Sequence, residues 1–232
     1  MLFSFFDYFF DYFLNYEGKE KLALIRLDQA CDKIIQGEII GVPTESVYGL
    51  SVDARNTEAV KKLINLKGRD SQKGFIIITS EIEILESLGW IKKLSPEDKN
   101  KLNNIWPGPV TYLLPSGFDN GSDLVSPLAG ETGPKMKSRD REGDMMARSI
   151  LTGQHSTIAV RISGHPVLLA LAQQLKCPIV STSANPQGLL PAKDLESFFN
   201  YFGQDFPVLA GKLGGLEKPT AIFDLCSGRQ LR

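Results

Sequence analysis

Three polar stretches of the chain carry side chains that could bind an anionic ligand. Residues 43–50 (PTESVYGL) follow an apolar run, and residues 67–73 (KGRDSQK) place three cations within seven positions. Residues 181–185 (STSAN) supply three hydroxyl groups and an amide after another apolar run. Ammonium, guanidinium, hydroxyl and amide groups all donate hydrogen bonds to phosphate or carboxylate oxygens. Together the three stretches predict a site for a polyanion and a small polar molecule.

For two of these stretches, the residues alone do not distinguish a ligand-binding role from a purely structural one. Hydroxyl groups in residues 43–50 could cap a turn. Cations at a helix end complement the negative end of its dipole, which would account for residues 67–73. The cluster at residues 181–185 favours a ligand most strongly, because open α/β sheets bind ligands at the carboxyl ends of their strands.

Arg161 stands inside the apolar run 158–162. A strand of this composition is expected to be buried, and a buried guanidinium needs an anion beside it. That anion is either a ligand or a carboxylate of the protein itself. A guanidinium binds a carboxylate through two parallel hydrogen bonds, which suits either partner.

Several common catalytic motifs are missing from the sequence. There is no GxxxxGK[ST] phosphate loop, no GxGxxG after a strand and no GxSxG nucleophile elbow. His155 and His165 are the only histidines, and His165, next to Pro166 at a predicted helix start, favours a structural role. A zinc site or a Ser-His-Asp mechanism would need more than this. The site is therefore predicted to act by positioning and by charge stabilisation.

Alternating strands and helices position these stretches and predict an α/β layer fold. Apolar runs predict strands at residues 38–42, 75–79, 110–114, 157–162, 179–182, 208–209 and 221–225. Helical spacing predicts helices over residues 22–35, 56–67, from 95 onward, 166–176 and 193–202. Asn56 is a typical N-cap and Gly68 a typical C-terminal stop, so Lys67 falls in the last turn of its helix.

Two segments break this alternation. Residues 1–20 contain nine of the 21 aromatic residues and one polar stripe, which predicts a helical N-terminal extension. It could dock on the domain, bind a partner or a membrane surface, or be non-native; a signal peptide is disfavoured because a basic region is missing. Residues 117–154, rich in Gly, Ser and mixed charge, predict a flexible insertion, either a solvated loop or a lid, within a domain spanning residues 21–232.

The composition is that of a globular protein of a reducing compartment. The 232 residues, 42% hydrophobic and 23% charged, exclude wholesale disorder, and no apolar run reaches the ~18 residues of a membrane span. The three cysteines lack a disulfide or zinc-binding pattern, which predicts a cytoplasmic location. A formal net charge of −1 argues against generic binding to nucleic acid.

Five motifs, in order, resemble those of the YrdC-like family of L-threonylcarbamoyl-AMP synthases, in its short single-domain bacterial form. They are PTESVYGL (43–50), KGRDSQKGFIII (67–78), WPGPVTYLLP (106–115), STIAVRISGHP (156–166) and PIVSTSANPQG (178–188). Each motif alone is modest, whereas five in register are specific. The resemblance implies a single α/β domain in which a twisted mixed β-sheet, flanked by helices, forms a concave basic cleft.

The resemblance further implies an enzyme that joins L-threonine, bicarbonate and ATP to give threonylcarbamoyl-AMP and pyrophosphate, with Mg accompanying ATP. Lys67 and Arg69 would be its catalytic KxR pair. The implied ATP contacts are Lys67, Arg69, Ser71, Lys73, Thr157, Ser183, Asn185 and Arg232. The implied threonine contacts are Thr44, Tyr48, Arg161 and Ser181. Partner proteins would transfer the threonylcarbamoyl group to tRNA; direct tRNA binding has weak support, and no membrane is involved.

Two other functions are alternatives. An RNA-binding module of the same type would use the concave surface as a platform, but the net charge and the lack of aromatic RNA-recognition signatures argue against it. A carbamoyl-adenylate-forming domain would use carbamoyl phosphate instead of bicarbonate and threonine. Three places depart from the family pattern where nucleotide sugar and base contacts are expected, namely Gln187, Pro191 and the pair Pro219-Thr220.

Overall fold

The computed structural model describes residues 23–70, 72–117 and 150–232. The predicted aromatic extension (residues 1–20) and Ser71 lie outside the described residues. So does the predicted insertion, apart from residues 117 and 150–154. Within the described ranges, no helix combines the length and the apolar character needed to cross a bilayer.

In the described part of the chain, nine strands form one mixed sheet. They are β1 (Leu24–Ile25), β2 (Ile40–Pro43), β3 (Tyr48–Asp53), β4 (Ile76–Ile78), β5 (Val110–Pro115), β6 (Thr157–Arg161), β7 (Ile179–Ser183), β8 (Val208–Leu209) and β9 (Ala221–Asp224). Their order across the sheet is β1-β8-β2-β3-β7-β4-β6-β5-β9. β3 runs antiparallel to β2 and β7, whereas β4 runs parallel to β6. The predicted mixed sheet is confirmed.

Six helices whose bounds lie within these ranges flank the sheet. They are α1 (Leu27–Ile35), α2 (Thr57–Lys67), α3 (Ile82–Ser87), α4 (Pro96–Asn103), α5 (Pro166–Leu175) and α6 (Leu195–Phe202). Buried residues of α1 and α5 pack against one face of the sheet, and those of the other four helices belong to the larger apolar core on the opposite face. The predicted single α/β domain is confirmed.

Alternation along the strands decides which side chains face which core. In β6, Ile158 and Val160 belong to the larger core, so Thr157, Ala159 and Arg161 face the side of α1 and α5. In β7 the same rule puts both serines of the strand on that side. The polar residues of these two strands therefore share one face of the sheet.

Helix α2 confirms its predicted boundaries. Asn56 Oδ1 accepts a hydrogen bond from Ala59 N at 3.0 Å, and Gly68 ends the helix in the left-handed conformation, with φ of 59°. Ser95 caps α4 in the same way as Asn56 caps α2, accepting a hydrogen bond from Asp98 N at 3.1 Å.

Three parts of the chain differ from the prediction. Helix α3 (Ile82–Ser87) lies in a stretch for which no element was predicted. Leu24 and Ile25, predicted within a helix over residues 22–35, form the edge strand β1, because their backbone pairs with β8. Residues 48–53, whose first part was predicted as a loop, form β3, and all six of its residues are buried. A strand covered on both faces lacks the polar–apolar alternation that would reveal it in the sequence.

Candidate functional site

A cavity of about 530 Å³ opens on the face of the sheet that carries α1 and α5. Its walls come from distant parts of the chain: the turn after β2, the loop before β4, strands β6 and β7, and the final residues. Eight residues predicted for the site line it: Thr44, Arg69, Lys73, Thr157, Arg161, Ser181, Ser183 and Arg232. The structure therefore brings the three polar stretches and Arg161 together.

The other predicted site residues are placed differently. Lys67 and Asn185 are not among the described residues that line the cavity. Tyr48 is only 3% exposed, and its ring packs edge-on against Phe198 in the larger core. Gly49, the next residue of β3, lines the cavity, and successive strand residues point to opposite faces of the sheet. The side chain of Tyr48 therefore faces away from the cavity. Ser71 lies outside the described residues.

The site extends across the face of the sheet, whereas the sequence predicted it at the carboxyl ends of strands. Ser183 ends β7, but Thr157 begins β6, and both line the cavity. In a mixed sheet, antiparallel neighbours bring amino and carboxyl ends to the same edge. The strand register places Ala159 beside Ile76, and Ile76 beside Ser181, so these three residues form a row along the cavity.

Lys67 points to the turn that follows β7. Its Nζ donates hydrogen bonds to the carbonyl oxygen of Ser183, to the carbonyl oxygen of Asn185 at 2.7 Å, and to Asn185 Oδ1 at 3.2 Å. Burial, with a smaller contribution from the charge of Arg69, lowers the pKa of Lys67 to about 8. Its predicted partner in the KxR pair, Arg69, points elsewhere.

Arg69 and Lys73 carry the positive charge of residues 67–73 into the cavity. Arg69 Nη2 donates to the Gly74 carbonyl at 2.7 Å, and the guanidinium lies 4.7 Å from the centroid of the Phe75 ring. Burial lowers the pKa of Arg69, an effect that Asp70 opposes, and a guanidinium remains charged at neutral pH. The Lys73 side chain is exposed.

Arg161 is paired with a protein carboxylate, one of the two partners that the sequence left open. It is 4% exposed; its Nη2 lies 3.3 Å from Glu45 Oε2, and its Nη1 donates to Thr220 Oγ1 at 2.6 Å. Burial lowers the pKa of Arg161, and Glu45 opposes this change. Arg161 also lines the cavity, and its Nε has no hydrogen-bond partner within the described ranges. The guanidinium thus keeps one N–H donor without an acceptor among these residues, although this atom is itself buried.

Further hydrogen bonds hold this ion pair from behind. Ser163 Oγ donates to Glu45 Oε1 at 2.7 Å and accepts from the backbone N–H of His165 at 3.1 Å. The Nε2 atom of His165 lies 2.8 Å from the Lys212 carbonyl, and burial lowers the pKa of this histidine. His165 therefore has the structural role that the sequence favoured.

Thr220 connects Arg161 with Arg232. Its hydroxyl accepts from Arg161, and its carbonyl accepts from Arg232 Nε at 3.1 Å and Nη2 at 3.0 Å. Burial lowers the pKa of Arg232. Pro191 and Pro219 line the same cavity, so departures from the family pattern do fall at the site.

The turn after β2 has both of the roles considered for it. Thr44 Oγ1 donates to the Val47 carbonyl at 2.7 Å, which is the hydroxyl-capped turn, and Thr44 also lines the cavity. Glu45 was not among the predicted site residues, although it is the only acid in residues 43–50.

Thr152 and His155 were also not assigned to the site, yet both line the cavity. Thr152 belongs to the last part of the predicted insertion, where Leu151 is fully buried and its carbonyl accepts from Phe75 N at 2.8 Å. The sequence signal that could have found them is their position just before the predicted strand β6. Residues there must lie at the edge of the sheet where Thr157 begins that strand.

The lining of the cavity can hold a polyanion. In the described part of the chain it includes four basic side chains, several hydroxyl groups and no Asp or Glu. Among all the described residues, no group of three or more His, Cys, Asp or Glu side chains is placed to hold a metal ion. Hydrogen-bond donors that converge in this way can bind an anion and stabilise charge that develops on it.

Comparison with known proteins supplies the family. The Sua5/YciO/YrdC family model, described as "Telomere recombination", matches residues 32–232. The chain is 36% identical to the threonylcarbamoyl-AMP synthase of Saccharophagus degradans over 211 residues, 90% of this chain and 95% of that protein. It is 37% identical to the threonylcarbamoyl-AMP synthase of Photobacterium profundum over 207 residues, 89% of this chain and 97% of that protein.

A solved structure shares the fold. P. abyssi Sua5, in a crystal structure complexed with L-threonine, matches 85% of this chain with a TM-score of 0.64 and 26% identity. This chain spans 50% of the length of that Sua5 chain. From its sequence and its structure, the chain belongs to the Sua5/YciO/YrdC family.

Proposed function

We propose that this protein is a threonylcarbamoyl-AMP synthase, a nucleotidyltransferase that makes threonylcarbamoyl-AMP and pyrophosphate from L-threonine, bicarbonate and ATP. The observation that carries the proposal is the convergence of hydroxyl groups and four basic side chains on one cavity. Its volume of about 530 Å³ is in the range of small-molecule sites. Relatives with this name match 90% and 89% of this chain.

The phosphates of ATP are assigned to Arg69, Lys73 and Arg232. All three line the cavity, and among the described residues none of them forms an ion pair with a carboxylate. Their charge is therefore free to compensate the triphosphate and the pyrophosphate that leaves. Thr157 and Ser183 add hydroxyl donors to the same cavity.

Threonine is assigned to the part of the cavity formed by Thr44, Ser181 and Arg161. Glu45 already balances the charge of Arg161, but the guanidinium keeps an unpartnered Nε within the described ranges. The carboxylate of an amino acid can accept from this edge of the guanidinium. The complex of P. abyssi Sua5 with L-threonine supports an amino acid ligand for this fold.

The chemistry requires positioning more than a protein nucleophile. The threonine amine attacks the carbon of bicarbonate, and water leaves, which gives a carbamate. A carbamate oxygen then attacks the α-phosphorus of ATP, the bond to the β-phosphate oxygen breaks, and pyrophosphate departs. The cavity residues hold the reactants in place and stabilise the charge on the departing group. Magnesium would enter with the phosphate oxygens of ATP, which are ligands it prefers, and would supply further charge compensation.

The product is a mixed anhydride, which water hydrolyses, so a partner must consume it soon after release. We place both proteins in the cytoplasm. We assign this step to proteins that transfer the threonylcarbamoyl group to tRNA, with no direct role for tRNA in the synthase reaction. The protein would therefore meet ATP, L-threonine and bicarbonate as substrates and the transfer proteins as partners.

Pyrophosphate release tests the proposal. Purified protein is given Mg-ATP and bicarbonate with each of a panel of amino acids, and threonine should stimulate release well above the other amino acids. A folded protein that shows no stimulation by threonine would contradict the proposal. Release with carbamoyl phosphate in the absence of threonine and bicarbonate would instead support the carbamoyl-adenylate alternative. Tight RNA binding without turnover would support the RNA-binding alternative.

A further inference from the structure

Lys67 has no hydrogen-bond capacity left for a ligand. Its side chain lies in the last turn of α2, is 5% exposed, and is surrounded by the turn that follows β7. An ammonium group has three N–H donors. The carbonyl oxygen of Ser183, the carbonyl oxygen of Asn185 and Asn185 Oδ1 are its three acceptors.

The turn itself is built around this ammonium. Asn185 Oδ1, which accepts from Lys67, also accepts from Ser183 Oγ at 2.6 Å, and Asn185 Nδ2 donates to the Leu189 carbonyl at 2.6 Å. The backbone N–H of Gln187 donates to the carbonyl oxygen of Lys67 at 2.8 Å. The end of α2 and the turn are therefore joined through both the side chain and the backbone of Lys67.

The charge of Lys67 makes this arrangement specific. Within the described ranges no carboxylate lies within ion-pair distance of Nζ, so the three oxygen acceptors are what offset the cost of burying the ammonium. A turn displaced from this position would leave a buried charge without acceptors. The ammonium therefore favours one position of the turn.

The neighbouring cation Arg69 is directed differently. Gly68, in the left-handed conformation, ends α2 between the two residues, and residues two apart on a helix do not face the same side. Arg69 lines the cavity whereas Lys67 lies behind the wall that Ser183 contributes. The two cations of the KxR motif thus have different surroundings.

We propose that Lys67 is a positioning residue, which fixes the 183–189 turn and with it the Ser183 hydroxyl at the cavity wall, and that it does not contact the nucleotide. The second half of this proposal, on the nucleotide, rests on the proposed function. The first half, on the turn, is independent of it, because the hydrogen bonds of the turn all join groups of the protein itself.

Hydrogen exchange in the ligand-free protein tests the first half of this proposal. Lys67→Met keeps the length of the side chain and removes the charge, and Lys92→Met is the matched control at an exposed lysine outside the motifs. In Lys67→Met the amides of residues 185, 187 and 189 should exchange about tenfold faster or more, while those of β3 stay unchanged. Equal exchange of the turn amides in the two variants would overturn the proposal.

Chemical labelling of the wild-type protein tests the second half and needs no variant that must fold. An amine-reactive reagent is applied with and without Mg-ATP, and each lysine is followed by mass spectrometry. Lys73, which is exposed at the cavity, should be labelled and then protected by the nucleotide. Lys67 should be unreactive in both states. Labelling of Lys67 that Mg-ATP suppresses would show nucleotide contact and overturn the proposal.

Steady-state kinetics separate positioning from phosphate binding. Lys67→Met should lower kcat/KM for ATP about tenfold or more. Because Lys67 is proposed to act through the turn that carries Ser183, adding Ser183→Ala to Lys67→Met should cost little more than the more severe of the two single changes. Fully additive losses in the double variant would contradict positioning. An inactive wild-type protein would count against the proposed function, and the exchange experiment would still decide the role of Lys67.

Discussion

Arg161 and Glu45 form a buried ion pair at the cavity, with 3.3 Å between Nη2 and Oε2 and side chains that are 5% and 7% exposed. The pair joins β6 to the turn after β2, two stretches more than a hundred residues apart in sequence. Ser163 donates to the other oxygen of the carboxylate, Oε1, while Oε2 has only the ion-pair contact within the described residues. Because both charges are buried, neither can lose its partner without cost. The pair therefore holds two walls of the cavity in a fixed relation.

Glu45→Gln should destabilise the protein. The amide still accepts from Ser163, but Arg161 becomes a buried charge without a counter-ion. We expect a loss of about 3 kcal/mol in the free energy of unfolding. This value is at the lower end for a broken buried pair, because Arg161 lines the cavity and water can approach it there. Urea denaturation measures it.

The control for this change is Glu58→Gln. Glu58 pairs with Lys61 at 2.8 Å on the surface of α2, and removing its charge should leave the free energy of unfolding unchanged. Equal effects of the two substitutions would mean that the Arg161 pair is no more important than a surface pair.

Much of this arrangement could be predicted from the sequence, because short-range signals determine it. Asn56 and Gly68 define α2 through local capping, and apolar runs locate most strands within a residue or two. Strand β3 was not predicted, because it is buried on both faces and so lacks polar–apolar alternation, and because Ser51 and Asp53 interrupt its apolar character. Its assignment depends on pairing with β2 and β7, which are long-range partners.

The site was predicted as a set of residues but not as a geometry. Sequence spacing grouped Lys67 with Arg69, although two residues separated by two positions at a helix end point in different directions. Tyr48 was grouped with Thr44 by its motif, but strand alternation turns the tyrosine ring into the core. The acid beside Arg161 required a contact across the sheet that spacing cannot reveal.

Arg161→Lys should weaken threonine binding. Lysine keeps a positive charge beside Glu45, so the fold is preserved, but it lacks the planar edge that binds a carboxylate through two hydrogen bonds. We expect KM for threonine to rise about tenfold, with a much smaller change in KM for ATP. Pyrophosphate release at varied threonine measures the effect. Unaltered threonine affinity would remove Arg161 from the threonine site.

Lys73→Ala should weaken ATP binding about three- to tenfold, because it removes a cation that lines the cavity. Lys92→Ala, at an exposed lysine outside the motifs, is the control and should not change the affinity. Calorimetry with a non-hydrolysable ATP analogue gives both values. Added salt should weaken binding to the wild type more than to Lys73→Ala, because one screened charge is missing in the variant. Equal affinities of the two variants would mean that Lys73 is an ordinary surface cation.

The low pKa of Lys67 predicts opposite effects of pH on stability and on activity. In the folded protein this pKa is about 8, whereas an unfolded chain keeps the ordinary lysine value near 10.5. Between these values the unfolded state binds more protons, so the contribution of Lys67 makes the free energy of unfolding rise with pH. Over the same range the ammonium loses its proton and its hold on the turn, so kcat/KM should fall.

Comparison with Lys67→Met isolates these effects, because every other titrating group is common to both proteins. Urea denaturation and pyrophosphate release are measured from pH 7 to 10. Relative to the variant, the wild type should gain stability and lose its advantage in kcat/KM as pH rises through about 8. Arg69, the charged neighbour that contributes to the low pKa, keeps its charge throughout this range. A wild type whose stability and activity follow those of the variant at every pH would mean that Lys67 does not titrate in this range.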